Sequence, residues 1–236
     1  MRKKLALVLA ATLALSVFAV GCGSNDTNKE DSTPKQEQES KDDDKQDDSK
    51  KEVVATYEGE TLTMAGFWST FSTDYYKIKD GETLTINVKG TTNADIDNPW
   101  SNWVLVLADR QRDAEGYAAA CESIVLRADK WGWGTDYVAD NFKYTLNGTE
   151  LAAIDKATDA DVYAKWLADG KAGIDSTIVV TRDGANFTYT ATSVCGDNTW
   201  VATMNWTTTT ALADEMVFFL TGEQCTLEIK SAEVTK

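Results

Sequence analysis

Residues 177–192 read TIVVTRDGANFTYTAT. Thr177 to Arg182 and Phe187 to Thr192 are short runs of Thr, Val, Ile, Tyr and Phe, side chains that fit a pleated surface. Arg182-Asp183-Gly184-Ala185 joins them. Asp-Gly between two such runs is a strong hairpin signal, because glycine takes the positive φ that a tight two-residue loop requires. The pattern continues on both sides. Thr83 to Val88 alternates, with Leu84, Ile86 and Val88 on one face. Trp103 to Leu107 is a continuous apolar run, as expected of a strand buried on both faces. Ile124 to Leu126, Thr199 to Trp206, Met216 to Leu220 and Cys225 to Ile229 complete the set. Many short strands separated by polar turns predict an all-β fold, an antiparallel β-sandwich.

One segment departs from this pattern. Ala157 to Gly170 reads as a short helix. Thr158 or Asp159 caps it, Val162, Tyr163, Trp166 and Leu167 share a face, and Gly170 stands where a helix stops. Trp166 is then a core plug beneath the helix. There is no internal repeat.

Upstream the composition changes twice. Residues 1–22 read MRKKLALVLAATLALSVFAVGC, a basic n-region followed by an apolar stretch from Leu5 to Val20. That stretch is short and runs at once into a polar tract, so it reads as a secretory signal rather than a membrane span. Ala19-Val20-Gly21-Cys22 resembles the lipobox of bacterial lipoproteins. By that resemblance the Cys22 thiol accepts diacylglycerol, and Cys22 becomes the lipidated first residue of the mature chain. Several acyl chains on one cysteine anchor stably where a single chain is marginal. Residues 23–52 carry 11 acidic and 6 basic side chains and no aliphatic or aromatic one. Such a segment buries too little to offset its ordering entropy and is expected to be a disordered acidic tether spanning roughly 30 Å. Its aspartate runs, Asp42 to Asp44 and Asp47-Asp48, read as solvated charge. Residues 53–236 remain as the folded domain, large enough for a sizeable core.

The 236-residue chain has no histidine and a net charge of -15. Ser-His-Asp and Cys-His catalysis, His-ligated zinc and an imidazole switch are therefore excluded. The folded part alone holds 27 acidic and 14 basic residues, which argues against a nucleic-acid partner. Eight tryptophans exceed what one core needs and suggest an aromatic binding surface.

The aromatics cluster. Gly66-Phe67-Trp68-Ser69-Thr70-Phe71 leads into Tyr75-Tyr76. Asn98-Pro99-Trp100-Ser101-Asn102-Trp103 carries a polar loop into a buried strand, and Leu126-Arg127-Ala128-Asp129-Lys130-Trp131-Gly132-Trp133-Gly134 carries a strand out into a Trp/Gly segment. Taken together, GFWSTFS, WSNWVLVL, VLRADKWGWG and the late hairpin resemble secreted bacterial β-sandwich domains of the carbohydrate-binding-module or lectin-like kind, the concanavalin-like jelly rolls. The resemblance spans roughly Thr56 to Ile229. It implies a jelly-roll-like sandwich and a glycan ligand, without saying which sugar.

The chemistry of glycan binding stands partly on its own. A sugar ring has an apolar C–H face and a hydroxyl rim; an indole gives the face a platform, and Asp, Asn, Gln and Arg give the rim directional partners. Trp131 and Trp133 are two apart, so in an extended segment they project to one side about 6.5 Å apart. Gly132 and Gly134 leave their faces uncrowded, and Asp129 lies just before them. The alternative is that one indole enters the core and the other caps it. Trp103 begins the apolar run and belongs to the core, whereas Trp100 follows Pro99 in a loop and is the better exposed candidate. Asn102 is a candidate hydroxyl partner or a turn residue. Trp68 either faces ligand or stands in a first strand from Gly66 to Tyr76 with Phe67 and Phe71 buried.

Other chemistry is less well marked. Asn93, Asp95 and Asp97 alternate as calcium ligands do, but the glycine and terminal glutamate of an EF-hand are absent, and an Asx-rich turn is the better reading. No cofactor or metal is expected. Cys121, Cys195 and Cys225 leave at most one internal disulfide, 195–225 being the pair that borders strands; the alternative is three buried thiols. The concanavalin-like glucanase signature Glu-x-Asp-x-x-Glu is missing, and Asp109, Asp113 and Glu115 lie among arginines in a charged loop. The sequence therefore predicts no enzyme. It predicts a lipoprotein held by its lipid at the cell surface, outside the cytoplasm, capturing a poly- or oligosaccharide through exposed tryptophans. Two alternatives are an adhesive surface lipoprotein that binds a protein and, behind it, a glycoside hydrolase of the concanavalin-like fold.

Overall fold

The computed structural model describes residues 51–98, 101–108, 122–128, 137–209 and 214–236. Among them the chain is all-β apart from one helix, with every strand pair antiparallel. The strands are β1 (Val53–Tyr57), β2 (Glu60–Thr63), β3 (Phe67–Phe71), β4 (Tyr76–Lys79), β5 (Thr83–Thr92), β6 (Trp103–Ala108) and β7 (Glu122–Arg127). They continue with β8 (Tyr137–Leu146), β9 (Thr149–Glu150), β10 (Ile174–Asp183), β11 (Asn186–Cys195), β12 (Asn198–Thr208), β13 (Glu215–Glu223) and β14 (Cys225–Thr235). Helix α1 (Ala160–Ala172) lies between β9 and β10.

Two sheets form the sandwich. The larger runs β1-β14-β5-β10-β11-β12-β8-β9, and β2 takes over from β1 along the same edge of β14. The smaller runs β3-β13-β6-β7, with β4 likewise continuing β3 along β13. The chain passes between sheets at Gln224, whose φ of 49° makes the corner between β13 and β14. The hairpin read from Asp183-Gly184 is present: Asp183 pairs with Asn186, and Gly184 takes φ 57° at the first loop position.

Period two builds the core. Leu84, Ile86 and Val88 of β5 meet Ile178 and Val180 of β10 on the inner face of the larger sheet, against Leu105, Leu107, Phe218 and Leu220 of the smaller one. Trp103 is buried there as expected, edge-on to Tyr189 at 6.4 Å between centroids. All of Trp103 to Leu107 is buried, because the outer face of the smaller sheet carries a second apolar cluster of Val104, Val106, Val125 and Phe219.

Helix α1 completes the core. Trp166 is buried between Trp200 (5.0 Å) and Tyr144 (6.3 Å), the plug its helical position predicts. The cap is Asp159, whose carboxylate accepts from Asp161 N and Val162 N. The helix does not stop at Gly170. It runs to Ala172, and Gly173 at φ 100° ends it with its N–H on Asp169 O. Gly170 is needed for proximity instead, since a Cβ there would lie 2.7 Å from Thr92 Oγ1.

One further expectation is corrected, and of two open alternatives for the cysteines one is found. The Gly66–Tyr76 stretch is not one strand burying both phenylalanines: Phe71 packs edge-on to Phe219 at 5.5 Å, but Phe67 is 57% exposed. Cys195 and Cys225 are free thiols. They stand on β11 and β14, three strand spacings or about 14 Å apart, beyond disulfide reach. Cys121 lies outside the described residues.

Candidate functional site

The smaller sheet places several singled-out residues at one end. Gly222 of β13 pairs with Trp103 at the start of β6, Glu223 pairs with Phe67 at the start of β3, and Val104 pairs with Arg127 at the end of β7. The Trp68 stretch, the Asn102–Trp103 entry and the Arg127 exit therefore meet where β13 turns into β14. Of the candidate residues, Trp68 and Asn102 are described. Trp100, Asp129, Trp131 and Trp133 lie outside the described residues, as do Cys22 and the acidic tether.

Alternation puts Thr221 and Glu223 on the outer face of β13, and Val125 and Arg127 on the outer face of β7. Arg127 reaches across β6 and binds Glu223 with both fork nitrogens, Nη1 to Oε1 at 2.6 Å and Nη2 to Oε2 at 2.7 Å. Both side chains are largely buried, 11% and 6% exposed. A bidentate pair of this kind is directional and strong, and it satisfies two charges that burial alone would penalise. The Arg127 carbonyl also accepts from Tyr189 Oη at 3.0 Å, tying the pair to the core.

Trp68 completes the arrangement. Its Nε1–H donates to Glu223 Oε1 at 3.0 Å, and its body packs on the apolar cluster of the outer face. Its backbone takes φ 51°, a left-handed conformation that costs an aromatic residue about 1–3 kcal/mol. Packing and the Glu223 bond hold it there. The result is a half-buried indole in one fixed orientation, its chain neighbour Phe67 exposed, with Phe71 and Tyr75 packed edge-on to Phe219 on the same face.

Asn102 is placed differently. It is 4% exposed, its Oδ1 accepts from Trp103 N at 2.7 Å, and its carbonyl accepts from Glu223 N at 2.9 Å. Its side chain is the turn residue that starts β6, set beneath the site. Asn93 anchors a turn as well: its N–H donates to Gln224 O, its amide to Met64 O, and its carbonyl accepts from Ile96 N. Among the described residues no three acidic or cysteine side chains gather at metal-binding distance.

Glu223 and Arg127 were not singled out by sequence. Arg127 lies inside the quoted VLRADKWGWG, but its partner is 96 residues away. A charged residue at the end of each of two runs that otherwise read apolar is the only local trace. The chain matches no protein-family model, no curated protein and no solved structure.

Proposed function

We propose that the protein is a lipid-anchored, extracytoplasmic glycan-binding sandwich that captures a poly- or oligosaccharide without acting on it. The observation that supports this best is the half-buried indole of Trp68, held by Glu223, with exposed Phe67 as its chain neighbour. A pre-oriented aromatic surface loses little entropy on meeting the C–H face of a sugar. The glutamate and arginine beneath are already paired with each other, an arrangement suited to holding the platform. Trp100 precedes Ser101 in sequence, and Trp131 and Trp133 follow Ala128 by three and five residues; all three are proposed to extend the surface. Cys22 is proposed to carry the lipid, with residues 23–52 as the spacer.

The test is affinity electrophoresis of the full chain in gels carrying β-glucan, xylan or galactomannan. Trp68→Ala, Trp131→Ala and Trp133→Ala are each expected to weaken retention by about 1–3 kcal/mol, the scale of aromatic stacking on a planar ligand. Trp103→Ala, the buried control, should instead lose about 3–5 kcal/mol of stability. Retention in none of the gels, with capture of a cell-wall protein, would replace this reading with the adhesive one. Release of reducing sugar would replace it with the hydrolase.

A further inference from the structure

The outer face of the larger sheet, on the opposite side of the sandwich, is built from different chemistry. Register places Thr61 of β2, Glu228 of β14, Lys89 of β5 and Asp175 of β10 in one row across the strands. The next row is Ser231, Asn87, Thr177 and Thr192. Between the rows β14 carries a bulge: Ile229 pairs with Val88 and Ser231 with Asn87, so Lys230 is the extra residue. A bulge bends its strand and re-aims a side chain, and here Lys230 reaches over β5 to the Asp175 carboxylate. Asn87 links the second row, its Nδ2 donating to Ser231 Oγ at 3.0 Å and its Oδ1 accepting from Thr177 Oγ1 at 2.9 Å.

The bulge leaves a groove. Three adjoining hollows of about 330, 230 and 380 Å³ share Thr61, Glu228 and Lys230 between them and run from β2 to β11. At about 4.8 Å per strand that is roughly 19 Å, the length of about four pyranose rings.

The charges of the groove decide its occupant. Lys230 is paired with Asp175, and Lys89 stands in register between Glu228 and Asp175. Glu60 lines the β2 end, where its carboxylate accepts from Thr73 N and Oγ1, so three carboxylates stand against two lysines: a polyanion is repelled, and each carboxylate already faces a lysine or a hydrogen-bond donor. What remains is hydroxyl and amide groups that both donate and accept, set among threonine methyls and the half-exposed Val194. Alternating O–H and C–H is also the surface of an uncharged sugar chain.

We propose that this groove is a second binding site, for a neutral oligosaccharide of about four units laid across the strands. It uses none of the aromatic end, so the two sites stand or fall separately.

Calorimetric titration of the full chain with cellohexaose, xylohexaose and mannohexaose, and with hexagalacturonate as the charged counterpart, tests this. At least one neutral hexasaccharide is expected to bind. Thr177→Val with Asn87→Val, a pair that keeps strand preference, should weaken that binding ten-fold or more without moving the unfolding midpoint, while Trp68→Ala leaves a binding phase in place. In the unaltered protein the Asn87 side-chain amide resonance should shift on titration, a readout independent of how the variants fold. Binding that Trp68→Ala abolishes and the groove variant leaves untouched overturns the groove while sparing the aromatic site. Binding of hexagalacturonate alone, or of no hexasaccharide, overturns it as well.

Discussion

Glu223 is where three parts of the chain converge on a single carboxylate, accepting from Arg127 and Trp68 while its backbone N–H reaches Asn102. Removing one side of a buried pair strands the other charge, so Glu223→Ala should cost about 3–5 kcal/mol in chemical unfolding. Arg127→Met combined with Glu223→Leu should recover most of that loss, because both charges then leave together. A second residue-scale expectation concerns pH. Burial pushes the Cys225 thiol up from an ordinary 9.0 to about 12. A group raised on folding contributes its full stability below the unfolded value and loses it as pH climbs toward the folded one. Stability should therefore hold to about pH 9 and fall between 9 and 12, by about 2 kcal/mol at pH 10.5 from this thiol alone. Unfolding midpoints of the native chain and Cys225→Ala across that range check the sign: the variant should lose less. At this scale the sequence was legible where a residue's role is local. Trp103 and Trp166 follow from their runs and faces. Glu223 does not, because nothing within ten residues of it indicates a partner on β7.

At the scale of elements, the strands that alternate cleanly were legible and the others were not. β5, β10, β11 and β12 each set an apolar face against the core and were read within a few residues of their ends. β1, β2 and β4 are edge segments of four or five residues, exposing Val53, Val54 and Thr56, Thr61 and Thr63, and Lys77 and Lys79, so they are too short to carry much pattern. β8 went unread because its alternation is interrupted: pairing with β12 slips between Thr203 and Asn205. The helix was legible from its cap and face, but two glycines compete to end it. Only the one at positive φ does so; the other is small for the sake of Thr92. The cap itself is testable. Asp159→Ala frees the N–H groups of Asp161 and Val162 and should cost about 1 kcal/mol in thermal or chemical unfolding. The tryptophan contacts further along α1 should survive, with near-ultraviolet circular dichroism unchanged.

For the whole molecule, charge and anchoring set the expectation. If the thiol of Cys22 carries the lipid, Cys22→Ser should abolish incorporation of a labelled fatty acid. The unfolding free energy of residues 53–236 should stay within about 0.5 kcal/mol of the native chain, since Cys22 is followed by thirty residues with no aliphatic or aromatic side chain to bury. Label retained by the serine variant would disprove the anchor. The pairing of the sheets has another consequence, one of timing. Among the described residues β1 and β2 have a ladder partner only in β14, and β3 and β4 only in β13. These four early strands thus lack their ladder partners until β13 and β14 have been made. Contacts so distant along the chain make folding slow, on the order of milliseconds to seconds. Throughout synthesis those early segments wait as open edges, guarded against mispairing by Glu58, Lys77 and Lys79. The middle strands can pair as they emerge, but neither sheet gains its first edge before β13 and β14 are free, so the sandwich closes last where it was begun.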